Sequence, residues 1–252
     1  MKTALIKKEI KENILAFKGS IWLFVITLLL SAMSYSFVGI KEMSLLAQTE
    51  MLVTFGKLVL GLGVLISIIL ASVSFSNEKE QSTLESLLLT PMPKNQIVWS
   101  KLIAVLSVWL ATLLLAAPYL LVLSRGTQAL APILTFLFLI GTILVLLFTG
   151  MAMALSILIG SSKGALMTSL IIFLVTSVPV FLSSAMTQSG LGAWINAMSP
   201  VASALNLLKS MVINGYGMFS NVSFILSIFG GGVVGLLILQ FGMSRLEFKG
   251  GE

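Results

Sequence analysis

The sequence predicts an all-α polytopic membrane protein with six transmembrane helices, and three observations carry that expectation. Of its 252 residues 58% are hydrophobic and only 10% charged, which leaves too few polar groups to cover a soluble globule. Uncharged apolar stretches recur that could cross a hydrocarbon core of about 30 Å, a distance that takes about 20 helical residues. The cations between them fall mostly on alternate sides. With a cytoplasmic N-terminus, the inner segments hold Lys2, Lys7, Lys8, Lys11, Lys18, Lys79, Lys94, Lys101, Lys163, Arg245 and Lys249, and the outer loops only Lys41, Arg125 and Lys209. That bias predicts a multi-pass protein of the cell membrane with both termini on the cytoplasmic side.

Residue types narrow the function. The chain has no Cys, no His and no Asp, so disulfides are excluded and nitrogen or thiolate metal sites have no ligands. A formal charge of +6 is explained by membrane orientation, and no nucleic-acid partner is expected. The thirteen methionines are scattered, which suits flexible packing better than a metal relay. The whole chain reads as one transmembrane domain, 1–252, with membrane lipids as its surroundings.

Residues 1–18, "MKTALIKKEIKENILAFK", precede an apolar run longer than a signal-peptide core and lacking a small-residue cleavage site, so they read as part of the mature chain. Ile6, Ile10, Ile14 and Phe17 recur at helical spacing beside Lys7, Lys11 and Lys18, predicting an amphipathic interfacial helix on the cytoplasmic surface. Spans are expected near 19–40, 51–76, 102–124, 131–158, 165–186 and 221–243. Lys57 falls inside the second, two turns from its outer end, and reads as a snorkelling side chain. Gly231 and Gly235 in the sixth form a small-xxx-small pair suited to close helix approach, within the chain or between chains.

Residues 77–101 form the most polar loop, between the second and third spans. Leu84, Leu87 and Leu88 are spaced for one face of a short helix over 82–89, and Glu78, Glu80 and Glu85 crowd its first half, where acids favour a helix start. Pro91 and Pro93 end it, and Pro93 suits the first turn of a second helix running through Ile97 and Trp99 into Lys101.

The run Glu78-Lys79-Glu80-Gln81-Ser82-Thr83-Leu84-Glu85-Ser86-Leu87-Leu88-Leu89-Thr90-Pro91, with Lys101 downstream, resembles the signature E-[KR]-E-x-G-T-L-E-x-L-L-x-[ST]-P of the permease subunits of ABC-2 type exporters. It departs at Ser82, where the family usually has Gly, and at Pro93, where a capping Ser is common. The segment 199–217 resembles the short external helices that such permeases carry before the sixth span, within an external loop over 187–220. The resemblance implies a cytoplasmic coupling helix between spans two and three that docks on a separate ATPase. Glu78, Glu80, Thr83, Leu84, Glu85, Leu87, Leu88 and Pro91 would be its coupling residues. It further implies two ATPase copies, a second permease chain as homodimer or heterodimer, and ATP and Mg on the partner, with no cofactor bound by this chain. No G-x-x-x-x-G-K-[ST] occurs here, and "GSSKG" at 160–164 lacks the spacing.

Two other classes fit less well. A secondary transporter or channel would place ionisable groups near the midplane, whereas the predicted spans hold no Glu and only the off-centre Lys57. A hydrolase would be left with Ser paired to Lys57. Ser34 and Tyr35 of span one, and Thr168 and Thr176 of span five, are candidate pathway residues, although such groups also serve as interhelical glue.

Overall fold

A computed structural model describes residues 2–14, 17–38, 44–84, 93–181 and 190–246, and among these every regular element is helical. In chain order they are α1 (Lys2–Ile14), α2 (Phe17–Val38), α3 (Leu45–Ser72), α4 (Ser76–Glu80), α5 (Lys94–Leu123) and α6 (Leu130–Phe136). A π-helical turn at Leu137–Gly141 leads on into α7 (Thr142–Ile159), followed by α8 (Ser162–Ser177), α9 (Gly190–Met198), α10 (Pro200–Val212) and α11 (Val222–Ser244). Six segments are long and apolar enough to cross a membrane: Ser20–Phe37, Leu45–Glu80, Lys94–Leu123, Leu130–Ile159, Ser162–Phe181 and Val222–Ser244. The chain is thus an all-α, multi-pass membrane protein, as its composition predicts.

Two spans begin earlier than hydropathy alone suggests, for local reasons. Span two starts at Leu45 rather than 51 because the Ser44 hydroxyl accepts from Ala47 N at 3.2 Å and caps the first turn. Span three starts at Lys94, immediately after Pro93, whose fixed φ of −66° prepares a helix entry.

Span two is the most buried and forms the hub. It touches spans three, four and five, and more lightly span one. Trp109 of α5 is the pin at the centre, lodged between two glycines: a Cβ on Gly63 of α3 would lie 2.2 Å from the indole, and one on Gly141 of the π-turn 2.7 Å. Its Nε1 donates to Thr142 Oγ1 at 3.1 Å, so the buried polar atom is satisfied. The π-turn falls where Gly141 meets this ring, a place where helix irregularity and close packing coincide.

Spans four and six come together through backbone. A Cβ on Gly150 would stand 2.7 Å from the Gly235 carbonyl oxygen, and one on Gly235 would stand 2.6 Å from that of Leu147. The small-residue patch of span six is therefore spent on contact inside the chain, with Gly231 against Leu147 and Pro200. Span one is the least buried; Ser31 Oγ and Tyr119 Oη, 2.6 Å apart, tie it to span three.

The leading helix α1 packs on α5 and α2. Ile6, Ile10 and Ile14 are half-buried and Lys7, Lys8 and Lys11 exposed, in line with the expected stripe. The most buried of its described side chains, however, is Glu9.

Candidate functional site

The polar stretch after span two is built as a knot at the lysine-rich end. Helix α3 breaks at residues 73–75 and restarts as the single turn α4, whose first amides need acceptors. Ser156 of α7 supplies them: its Oγ accepts from Phe75 N at 3.0 Å and from Ser76 N at 2.9 Å. A serine on span four thus fixes the restart of the chain leaving span two.

Three consecutive charges of α4 then reach three different spans. Glu78 Oε1 accepts from Lys101 Nζ of α5 at 2.7 Å. The Lys79 ammonium donates to the Ile157 carbonyl, one of the orphan acceptors at the C-terminus of α7. The Glu80 carboxylate takes both donors of Ser162, its amide N at 2.8 Å and its Oγ at 2.8 Å, at the N-terminus of α8. A cation meets a helix C-terminus and an anion meets a helix N-terminus, each matching the sign of the local dipole. Lys101 is buried, and it also lies 3.5 Å from Glu9 Oε1 of α1 and 5.3 Å above the Phe75 ring. Lys94 donates to the Leu246 carbonyl just beyond span six.

After these charges the helix is stopped by a Schellman arrangement. Ser82 N donates to Lys79 O at 3.1 Å and Thr83 N to Glu78 O at 2.9 Å, and Ser82 takes the left-handed conformation, φ +56°. Left-handed backbone at that place is what glycine supplies most cheaply, which accounts physically for the Gly in the signature that this stretch resembles. Ser82 is the sole non-Gly residue with positive φ among those described.

These contacts correct one sequence expectation. Glu78 and Glu80 stand in the single-turn helix α4, before the stop at Ser82, and not in the first half of a helix over 82–89. Leu84 is buried in the chain's own core. Thr83 is exposed, with its hydroxyl directed to Glu78 O at 3.3 Å. Glu85, Leu87, Leu88 and Pro91 lie outside the described residues. Sequence reasoning missed Glu9 as a member of this cluster. It also missed Ser156 and Ser162, whose partners are fixed only when the spans assemble.

The candidate pathway residues are not gathered. Span one rests against span three and span five against span four, with span two between them. Tyr35 is 84% exposed. Thr168 and Thr176 turn their hydroxyls back to Gly164 O and Ile172 O, both at 2.9 Å. None of Ser34, Tyr35, Thr168 or Thr176 lines either of two cavities, one of about 310 Å³ between Trp99 and Gln240 and one of about 690 Å³ between Thr49 and Tyr216. Among the described residues no cluster of acids suited to a metal ion occurs.

A six-span helical bundle whose polar loop is laced to the ends of its neighbours defines a multi-pass membrane protein with an internal fastening point. The chain belongs to the ABC-2 family transporter proteins: that family's model matches residues 3–238, nearly its whole length. It is a permease of an ABC transporter. No curated protein matches the chain.

Proposed function

We propose that this permease is the transmembrane subunit of an ATP-driven exporter, with two permease chains forming the pathway and two copies of a separate ATPase driving it from the cytoplasm. The observation that carries this reading is the fastening of Glu78, Lys79 and Glu80 to three different spans. Force applied to the loop after α4 is passed at once to α1 and to spans three, four and five. A membrane subunit moved by another chain needs such a lever. The docking surface is assigned to 85–91, with Leu87 and Leu88 as anchors and Glu85 as a rim charge, because Leu84 is spent on the chain's own core. The interfacial position of α1 and the cytoplasmic placement of both termini belong to the same proposal, supported by the lysine bias.

Two measurements test it. A cysteine replacing exposed Lys163 should label only from the cytoplasm, and one replacing exposed Arg125 only from outside. In proteoliposomes, the permease and its ATPase should transport only with ATP, and permease should raise ATP turnover. Transport driven by an ion gradient alone, with no ATPase present, would replace this reading with that of a secondary carrier.

A further inference from the structure

The larger of the two cavities, about 690 Å³, lies at the end of the bundle that the lysine bias assigns to the outside, and separate parts of the chain wall it. Thr49 comes from the start of α3, Thr127 and Gln128 from the turn between α5 and α6, Thr135 from α6, and Tyr216 from the turn after α10. These walls are fixed to the bundle. Gln48 Nε2 donates to the carbonyls of Leu123 and Arg125, at 3.0 and 2.7 Å, and staples the start of span two to the turn that carries Thr127. The end of α10 is stopped in the same manner as α4: Tyr216 N donates to Ser210 O at 3.1 Å, and Gly215 is left-handed, φ +68°.

The polar atoms of the cavity are weighted toward acceptors. The hydroxyls of Thr49, Thr127 and Thr135 already donate, to Leu45 O at 2.8 Å, Ser124 O at 2.9 Å and Ala131 O at 2.8 Å. A hydroxyl has one proton, so what these three offer a ligand is lone pairs. The Gln128 amide and the Tyr216 hydroxyl make no hydrogen bond to a described residue, and both side chains are exposed. No charged side chain lines the cavity, and the segment 39–43 that precedes α3, outside the described residues, carries one cation and one acid, Lys41 and Glu42. Most of the remaining lining is apolar.

Such a wall selects its ligand by chemistry. An anion has only acceptors to present and would face lone pairs. An ammonium would find no carboxylate, and a peptide would bring a carbonyl with each amide, setting acceptor against acceptor. A sugar brings a rotatable donor on every hydroxyl, and the CH faces of its ring suit apolar walls and an aromatic side chain. The volume is in the range of small-molecule sites, about 300–1,000 Å³. We propose that this cavity binds a neutral, hydroxyl-rich ligand of mono- or disaccharide type, its hydroxyls donating to Thr49, Thr127 and Thr135 and one ring face lying on Tyr216. The site is independent of the exporter reading.

Saturation-transfer NMR on the full chain in phosphatidylcholine nanodiscs tests it, with maltose and glucose as probes and glucose 6-phosphate and N-acetylalanine amide as the anionic and peptide-like comparators. Both sugars should give saturable signals, and both comparators should bind about tenfold more weakly or not at all. Thr135→Val keeps the shape and removes the acceptor, so it should weaken maltose binding about fivefold, whereas Thr135→Ser should retain it. Tyr216→Ala should weaken it about tenfold and Tyr216→Phe much less, because the ring face remains. Thr135 and Tyr216 are exposed, so all four variants should melt with the native chain, and a loss of binding at an unchanged melting temperature belongs to the site. The inference is overturned by the absence of a saturable sugar signal, by a comparator that binds more tightly than the sugars, or by unchanged maltose affinity in both Thr135→Val and Tyr216→Ala. Nanodiscs leave both faces of the bundle open and no ATPase is present, so the outcome depends neither on orientation nor on the exporter reading.

Discussion

Glu9 and Glu78, from the first helix and from the turn after span two, share one ammonium: Lys101 Nζ lies 3.5 Å from the first and 2.7 Å from the second. Two carboxylates on one buried cation make a cluster that is stable only while the cation is present. Lys101→Met should therefore destabilise the protein by about 3 kcal/mol, since it leaves the buried Glu9 and the half-buried Glu78 without their counter-charge. Replacing all three, Glu9→Leu, Glu78→Leu and Lys101→Met, should recover most of that loss, because well-packed apolar groups often match a buried ionic cluster. Thermal unfolding in detergent checks both. A single Lys101→Met variant as stable as the native chain would mean that the cluster bears no structural load.

Ser82 holds a left-handed backbone at the stop after α4. Glycine keeps that conformation without the roughly 1–2 kcal/mol of strain that a Cβ brings to it, but it costs about 0.4–1 kcal/mol through the more mobile unfolded chain. The first effect is the larger, so Ser82→Gly should stabilise the chain modestly, by about 0.5–1 kcal/mol. Ser82→Val, branched at Cβ, should do the opposite. Melting temperatures that fall in the glycine variant would contradict the assigned backbone geometry.

How much of this was legible in the sequence differs by level. The six spans were readable because each must supply about 20 apolar residues in a row, a constraint that leaves a one-dimensional trace. The role of Glu9 was partly readable: Ile6, Glu9, Ile10, Asn13 and Ile14 share one helix face, so the acid sits in the middle of the stripe meant for burial. Reading the isoleucines alone hid it. The pairing of Glu80 with Ser162 and of Lys79 with Ile157 left no local trace, since both depend on which helix ends lie beside α4. The left-handed Ser82 stood in the open as the departure from a glycine, but its meaning required the backbone.

Trp109 fills the space that Gly63 and Gly141 leave open between spans two, three and four. Gly63→Ala places a methyl group 2.2 Å from the buried indole, and overpacking of this kind costs about 1–3 kcal/mol. Trp109→Ala should cost about 3–5 kcal/mol by leaving a cavity among three spans. The two defects occupy the same volume, so the double variant should be less destabilised than the sum of the single ones, which a double-mutant cycle by thermal unfolding will show. Additive losses would indicate that ring and glycine do not meet.

The leucines of the polar stretch should separate into two kinds. Leu84 is packed in the chain's own core, so Leu84→Ala should lower stability by about 2 kcal/mol or more. Whatever of that chain stays folded should still bind ATPase. Leu87 and Leu88 are the proposed anchors on the partner, and anchors truncated to alanine commonly cost about 2 kcal/mol or more of binding, roughly thirtyfold in affinity. Leu87→Ala with Leu88→Ala should accordingly leave the melting temperature near native while the ATPase is lost from a pull-down and ATP turnover falls to the unstimulated rate. Glu85→Lys, at the proposed rim, should weaken association most at low ionic strength, where a newly created repulsion is least screened. The decisive comparison is between the two leucine variants under identical conditions. If Leu84→Ala alone releases the ATPase while the double variant binds it normally, the docking face is the one turned toward Leu84, and the assignment to 85–91 fails.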